Sequence, residues 1–171
     1  MVQLGNIHIG NAGEAQPPSL SIQEAGYLWD FLVGRYKCLE ETNIYLNIAK
    51  DPEFIVMLRT GISEILTEQA AKVEKEMEKY KLPLPKRNPK AFKNLNKKEV
   101  EVDDEFIFRQ IFSGCQEYID YLARTTRSMI INDNLRSLFA GFLKKELFFF
   151  DKLCKYGKTK GWLEVPPMYK N

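Results

Sequence analysis

The stretch KLPLPKRNPKAFKNLNKKEVEVDD, from Lys81 to Asp104, limits the folds open to this chain more than any other. Pro83, Pro85 and Pro89 forbid a regular helix across it. Long helical patterns flank it on both sides. A connection of this length without structure of its own is unusual inside a compact domain. It becomes reasonable if it runs back along its neighbours. A helix of roughly 25 residues is about 38 Å long, and about 20 extended residues can span that distance. The two flanking helices are then parallel, and the stretch is a crossover.

Four helices are expected around it. The first runs from about Ile22 to about Ala49. Ser21 and Glu24 form a Ser-x-x-Glu capping box at its start. Ala25, Trp29, Leu32, Tyr36, Leu39 and Leu46 recur at the spacing of one helical face. The second begins at Asp51-Pro52-Glu53, where Asp51 caps, Pro52 fits the first turn and Glu53 meets the positive end of the dipole. Its stripe is Leu58, Ile62, Ile65, Val73, Met77 and Tyr80. The third starts near Asp104 and presents Phe108, Ile111, Cys115, Tyr118, Leu122 and Met129. The fourth follows Ile131-Asn132-Asp133, with Asp133 read as its cap, and ends at Lys158, Lys160 and Gly161. Leu135, Phe139, Phe142, Phe149, Leu153 and Tyr156 form its inward face. Glycines within these helices (Gly26, Gly34, Gly61, Gly114 and Gly141) are read as points of close helix approach. The predicted fold is all-α: an up-down four-helix bundle with one long crossover between helices 2 and 3, the connectivity of ferritin-like bundles. Residues 1–20 are read as a flexible head and residues 21–171 as the bundle with a packed tail.

Composition excludes several function classes. The chain has 171 residues and a net charge of +2, which gives no general attraction for nucleic acid or anionic membrane. Its longest uninterrupted apolar run, Phe54 to Leu58, is far short of a bilayer span. The N-terminus lacks the basic start and apolar core of a signal peptide. Cys38, Cys115 and Cys154 are an odd set without a Cys-x-x-Cys pair, so a reducing cytoplasm is expected. Cys115 and Cys154 read as core residues. The crossover is basic at Lys81, Lys86, Arg87, Lys90, Lys93, Lys97 and Lys98, and acids follow at Glu99, Glu101, Asp103, Asp104 and Glu105. Two neutralising blocks on a solvated loop account for this pattern.

Three segments carry a family resemblance: GYLWDFLV near the start, KYKLPLP before the crossover, and KGWLEVPPMY at the end. Together they resemble an uncharacterised helical family of spore-forming bacteria, akin to the spore coat protein F group. The resemblance covers about Leu20 to Tyr169. It implies a ferritin-like bundle, of which many members carry two in tandem, and an association with the spore coat. This chain holds one such unit.

A ferritin-like di-iron centre needs a Glu from each of two helices and a Glu-x-x-His from each of the other two. The only histidine is His8, in the head. Glu146 sits on the inward stripe of the fourth helix, but Phe149 stands where histidine is required. Glu64 and Glu68 are followed at that spacing by Thr67 and Ala71. No metal site, cofactor or catalytic residue is therefore assigned. Two readings of Glu146 remain: a polar layer across the bundle with Asn43, Gln69 and Glu117, or a carboxylate leaning to solvent beside Lys145.

The apolar tail and the aromatic outer side of the fourth helix point to association. Phe148, Phe150, Trp162, Val165 and Tyr169 form the candidate interface, either of a two-fold homodimer or with spore coat proteins. The alternative for the tail is a seal, with Trp162, Val165, Met168 and Tyr169 lying along a helix groove. The expected role is a non-catalytic structural or interaction protein, cytoplasmic or in the spore coat. The competing roles are a metal-dependent oxidoreductase or metal-storage protein with a carboxylate-only site, and a small-molecule binder using a pocket among Tyr118, Tyr121, Phe142 and Glu146.

Overall fold

The computed structural model describes residues 2–4, 7–9, 19–87 and 102–169. It contains helices α1 (Ile22–Ile48), α2 (52–79), α3 (Asp104–Ser128) and α4 (Asp133–Lys160). Helix α2 is continuous but not uniform. An α-helical Pro52–Thr60 passes into a π-helical Gly61–Thr67 and returns to α-helix over Glu68–Lys79.

The ends of the helices establish the topology. At one end Asp104 accepts hydrogen bonds from the backbone N–H groups of Lys50 (2.9 Å) and Asp51 (2.6 Å), so α2 and α3 start side by side. Lys160, at the close of α4, pairs there with Asp51 at 2.8 Å. At the other end the Asn132 amide donates to the Tyr80 hydroxyl at 2.6 Å. Glu24, at the start of α1, accepts from the N–H groups of Ile131 (3.1 Å) and Asn132 (3.0 Å). Helices α2 and α3 are therefore parallel, α1 is antiparallel to α2, and α3 is antiparallel to α4. The sequence-based bundle with one crossover is the observed fold. Only the two ends of the crossover, residues 81–87 and 102–103, are described. Lys81 turns the chain at φ 55°, and Arg87 pairs with Glu74 at 2.5 Å, one end of a backward path along α2. Lys90, Lys93, Lys97, Lys98, Glu99 and Glu101 lie outside the described residues.

The predicted caps form, with one correction. Ser21 and Glu24 complete the reciprocal box, and Asp51 accepts from the N–H groups of Glu53 and Phe54. Gly161 closes α4 at φ 71°, a left-handed conformation that glycine adopts without steric cost. The cap of α4 is Asn132, not Asp133. The Asn132 side chain accepts from Leu135 N–H at 3.1 Å while buried against Tyr80, whereas Asp133 is exposed and pairs with Arg136. The head carries a short hairpin pairing. Strands β1 (Val2–Leu4) and β2 (Ile7–Ile9) pair antiparallel, with Gln3 opposite His8.

Two apolar clusters fill the bundle. One holds Leu28, Phe31, Leu32, Met77, Leu122 and Phe139, towards the α3–α4 turn. The other holds Phe54, Leu58, Ile107, Phe108 and Leu153, towards the opposite end. The buried face of α1 is rotated from the predicted stripe. Leu28, Phe31, Leu32, Arg35 and Tyr36 are inside, and Trp29 is 39% exposed. Close approach explains Gly34, where a Cβ would overlap the Tyr118 hydroxyl. It does not explain Gly26, Gly114 or Gly141, where a Cβ would meet nothing within 4 Å.

Candidate functional site

The two apolar clusters are separated by a polar layer. Glu146 follows Phe142 by one helical turn and precedes Phe149 by nearly another, so α4 has no choice but to carry it inward. Its side chain is 4% exposed, and it is paired with Arg35, whose side chain is 2% exposed. The reading that Glu146 leans out beside Lys145 is thereby corrected. Lys145 instead turns outward to Glu68 on α2, at 2.5 Å. That surface pair also sets the level of the layer, because residues 68 and 69 stand opposite residues 145 and 146. Gln69 is fully buried at this level, and neither of its side-chain polar atoms has a partner among the described residues.

Arg35 is held on three sides. One Nη donates to Glu146 Oε1. The guanidinium lies 3.8 Å from the centre of the Tyr118 ring and 5.1 Å from that of Phe31. Its Nε–H is buried without an acceptor among the described residues. The absence of a side chain at Gly34 admits the Tyr118 hydroxyl, so the ring can lie against the neighbouring Arg35. The other Glu146 oxygen faces the Cys115 thiol at 3.7 Å. Burial, and then the adjoining carboxylate, push the Cys115 thiol far above its ordinary pKa. Burial likewise raises the Tyr118 phenol.

Of the four residues expected in a polar layer, Glu146 and Gln69 lie at one level of the interior. Asn43 is half-buried, and its amide donates to the Leu39 carbonyl at 2.6 Å, away from Glu146. Glu117 is exposed. The central residue that the sequence reading missed is Arg35. Its signal was its place on the Leu28–Phe31–Leu32–Tyr36 face.

A cavity of about 300 Å³ opens beside the layer. Arg35, Cys115, Tyr118 and Glu146 line its polar end, and Leu58, Ile65, Ile111 and Phe149 its apolar walls. Lys37 and Glu41 of α1 and Gln110, Ser113 and Glu117 of α3 form the rim. Tyr121 and Phe142, expected in such a pocket, instead pack on Phe31 with ring centres 6.3 and 5.5 Å away.

The candidate interface residues divide. Phe148 is 64% exposed, with the Lys152 ammonium 4.7 Å from its ring centre, and Val165 and Tyr169 are also exposed. Phe150 packs against Phe112 in a tilted arrangement, with ring centres 5.2 Å apart. Trp162 is half-buried among Phe54, Phe108 and Tyr156, with centres 5.6 to 5.9 Å away. The tail therefore seals the bundle only through Trp162 and Leu163, and Val165, Met168 and Tyr169 stand clear of it.

The donor set does not fit a di-iron centre. The interior carboxylate is engaged by arginine, its level partner on α2 is an amide, and the helices contain no histidine. Among the described residues no group of three or more His, Cys, Asp or Glu side chains is arranged to hold a metal ion. No helix of these residues is long and apolar enough to cross a membrane.

Fold and interior together define a one-crossover four-helix bundle whose central carboxylate is balanced by an arginine of the same chain. The chain belongs to the family described as "protein of unknown function (DUF3231)", whose model matches residues 10–171. Among solved structures it is similar to a protein of Bacillus halodurans C-125 described as a "putative spore coat protein". The TM-score is 0.82 at 17% identity, over 89% of this chain and 96% of that one. At that identity the likeness concerns the fold. No curated protein matches the chain.

Proposed function

We propose that this protein is a non-catalytic scaffold of the spore coat or its assembly, acting through association with copies of itself or with coat proteins. The observation that carries the non-catalytic half is the Arg35–Glu146 pair. In a bundle of this connectivity a buried carboxylate suits a metal ligand, and here a guanidinium from α1 engages one of its oxygens while the other faces the Cys115 thiol. An arginine in that place cannot be displaced without leaving an unpaired buried charge. The coat half rests on the resemblance to coat proteins of spore formers and on the description of the Bacillus halodurans structure. Association is supported by the exposed Phe148, Val165, Met168 and Tyr169.

Fractionation of purified spores tests the reading. The protein is expected in the coat extract, and confinement to the soluble fraction of growing cells would refute the coat assignment. Metal analysis of the purified chain tests the other half. Stoichiometric iron, manganese or zinc lost on Glu146→Gln would overturn it.

A further inference from the structure

Residues 164–169 are left unused by the bundle, although the chain just before them is firmly held. Trp162 N–H donates to the Gly157 carbonyl at 2.9 Å, and Gly157 lacks a side chain where Phe108 and Leu163 pack. Packing stops at Leu163. All six residues that follow are exposed, Val165 at 57%, Met168 at 80% and Tyr169 at 90%. Five of the six, Val165, Pro166, Pro167, Met168 and Tyr169, are apolar or aromatic. Single apolar residues are ordinary on a surface, but a contiguous run marks a site of interaction. The backbone here is also stiff. Pro166 and Pro167 have fixed φ, and each holds the residue before it in extended backbone. That is polyproline II geometry, in which three residues per turn place Val165 and Met168 on one edge and Pro166 and Tyr169 on the next. Such a segment has little conformational freedom left to lose on binding.

We infer that residues 164–169 are a recognition segment for a different protein, one that carries a groove lined by aromatic side chains. Grooves of that kind take preformed proline-rich segments, whose edges fit between their rings. Tyr169 adds a ring and a hydroxyl to the Pro166 edge, an apolar body with a polar handle. A second copy is a poorer fit, since the exposed rings of this chain, Trp29, Phe106 and Phe148, stand on three different helices. The anchor at Trp162 and Leu163 fixes where the segment leaves the bundle, at the pole where α2 and α3 begin. This partner rests on the association role proposed above and gives it a chemistry.

A WW domain, whose aromatic-lined groove takes proline-rich segments, is the probe. It is titrated calorimetrically against the full chain and against a peptide of residues 164–171. The full chain should bind within about fivefold of the peptide, because the segment is already presented to solvent. Pro166→Ala and Tyr169→Ala should each weaken binding at least about tenfold, and leave melting and the light-scattering mass unchanged. Weaker binding by the full chain than that margin would mean that the bundle covers the segment, and would overturn the inference. Absence of binding by both chain and peptide, or undiminished binding in either variant, would overturn it as well. Loss of a dimer in Tyr169→Ala would make a second copy the occupant, which overturns the assignment to a different protein while self-association stands. A monomeric natural chain that binds the probe would refute self-association and support the recognition segment.

Discussion

Replacing Arg35 by methionine while Glu146 remains should be among the most damaging single changes in this chain. Both side chains are nearly inaccessible, at 2% and 4% exposure, so water cannot take over from the lost partner. The variant also loses the guanidinium contact with Tyr118 at 3.8 Å. Such a desolvated contact is worth about 2 kcal/mol. Glu146 keeps only the Cys115 thiol at 3.7 Å. Removing one member of a buried pair costs about 3–5 kcal/mol. In a chain of this size each kcal/mol moves Tm by about 2–4 °C, so a fall of roughly 6–20 °C is expected. Glu146→Leu should be similarly harmful, because it strands the guanidinium. The double replacement removes both charges and both desolvation costs. Its expected stability lies between that of the natural chain and about 4 kcal/mol above it. Urea unfolding of the four proteins at pH 7, followed by circular dichroism, closes the cycle. An Arg35→Met cost below about 1 kcal/mol, the range of exposed pairs, would mean that the pair is solvated. A double variant as unstable as the two single changes summed would mean that the charges do not interact.

Glu24→Gln should cost about 1–3 kcal/mol in thermal melting, because one carboxylate serves both the α1 cap and the N–H groups of Ile131 and Asn132. Burial pushes the Glu24 carboxyl up, but these backbone donors and the Ser21 hydroxyl outweigh it and hold the group below the usual carboxylate range. Its contribution is therefore complete above the unfolded value, near about 4.3, and is lost as pH falls from there through the depressed folded value. Stability below pH ~5 should fall less steeply in Glu24→Gln than in the natural chain, and parallel profiles would contradict the assignment. Gly34→Ala should cost about 1–3 kcal/mol through overlap with the Tyr118 hydroxyl. Adding Tyr118→Phe should recover part of it, since the nearest remaining ring carbon is 3.4 Å from the new methyl. Trp162→Ala should lower stability by about 2–4 kcal/mol, whereas truncation after Glu164 should change it by less than about 0.5 kcal/mol. Light scattering should find a dimer that Phe148→Ser weakens without altering melting, and a monomer at high micromolar concentration would rule out self-association.

Much of the architecture was legible because it rests on local chemistry. Ser21-x-x-Glu24, Asp51-Pro52 and Gly161 mark helix ends by hydrogen-bonding rules that need no tertiary knowledge. The prolines after Lys81, with chain reach, allowed a crossover that leaves α2 and α3 parallel. Spacing to Phe142 and Phe149 put Glu146 on the inward stripe but left open whether its carboxylate turned to solvent, which its burial against Arg35 decides. Arg35 was not legible in the same way. Arginine normally marks a solvated face, and the stripe drawn through Ala25 and Trp29 was rotated from the true one. An arginine flanked by Phe31, Leu32 and Tyr36, in a chain whose fourth helix carries Glu146 on its inward stripe, was the available clue. The π-helical turn leaves no mark in GISEILT, because its extra residue per turn depends on what packs against it. The β1–β2 pair did have a signal, the alternation of VQL and IHI around Gly5-Asn6.

Glu24 ties the beginning of the chain to residues more than a hundred positions later. The knot that holds the front of α1 is thus also the latch on the hairpin of α3 and α4. Neither end can fray without loosening the other, so opening at this pole should be a joint event, with the amides of Ile131 and Asn132 exchanging in step with the first turn of α1.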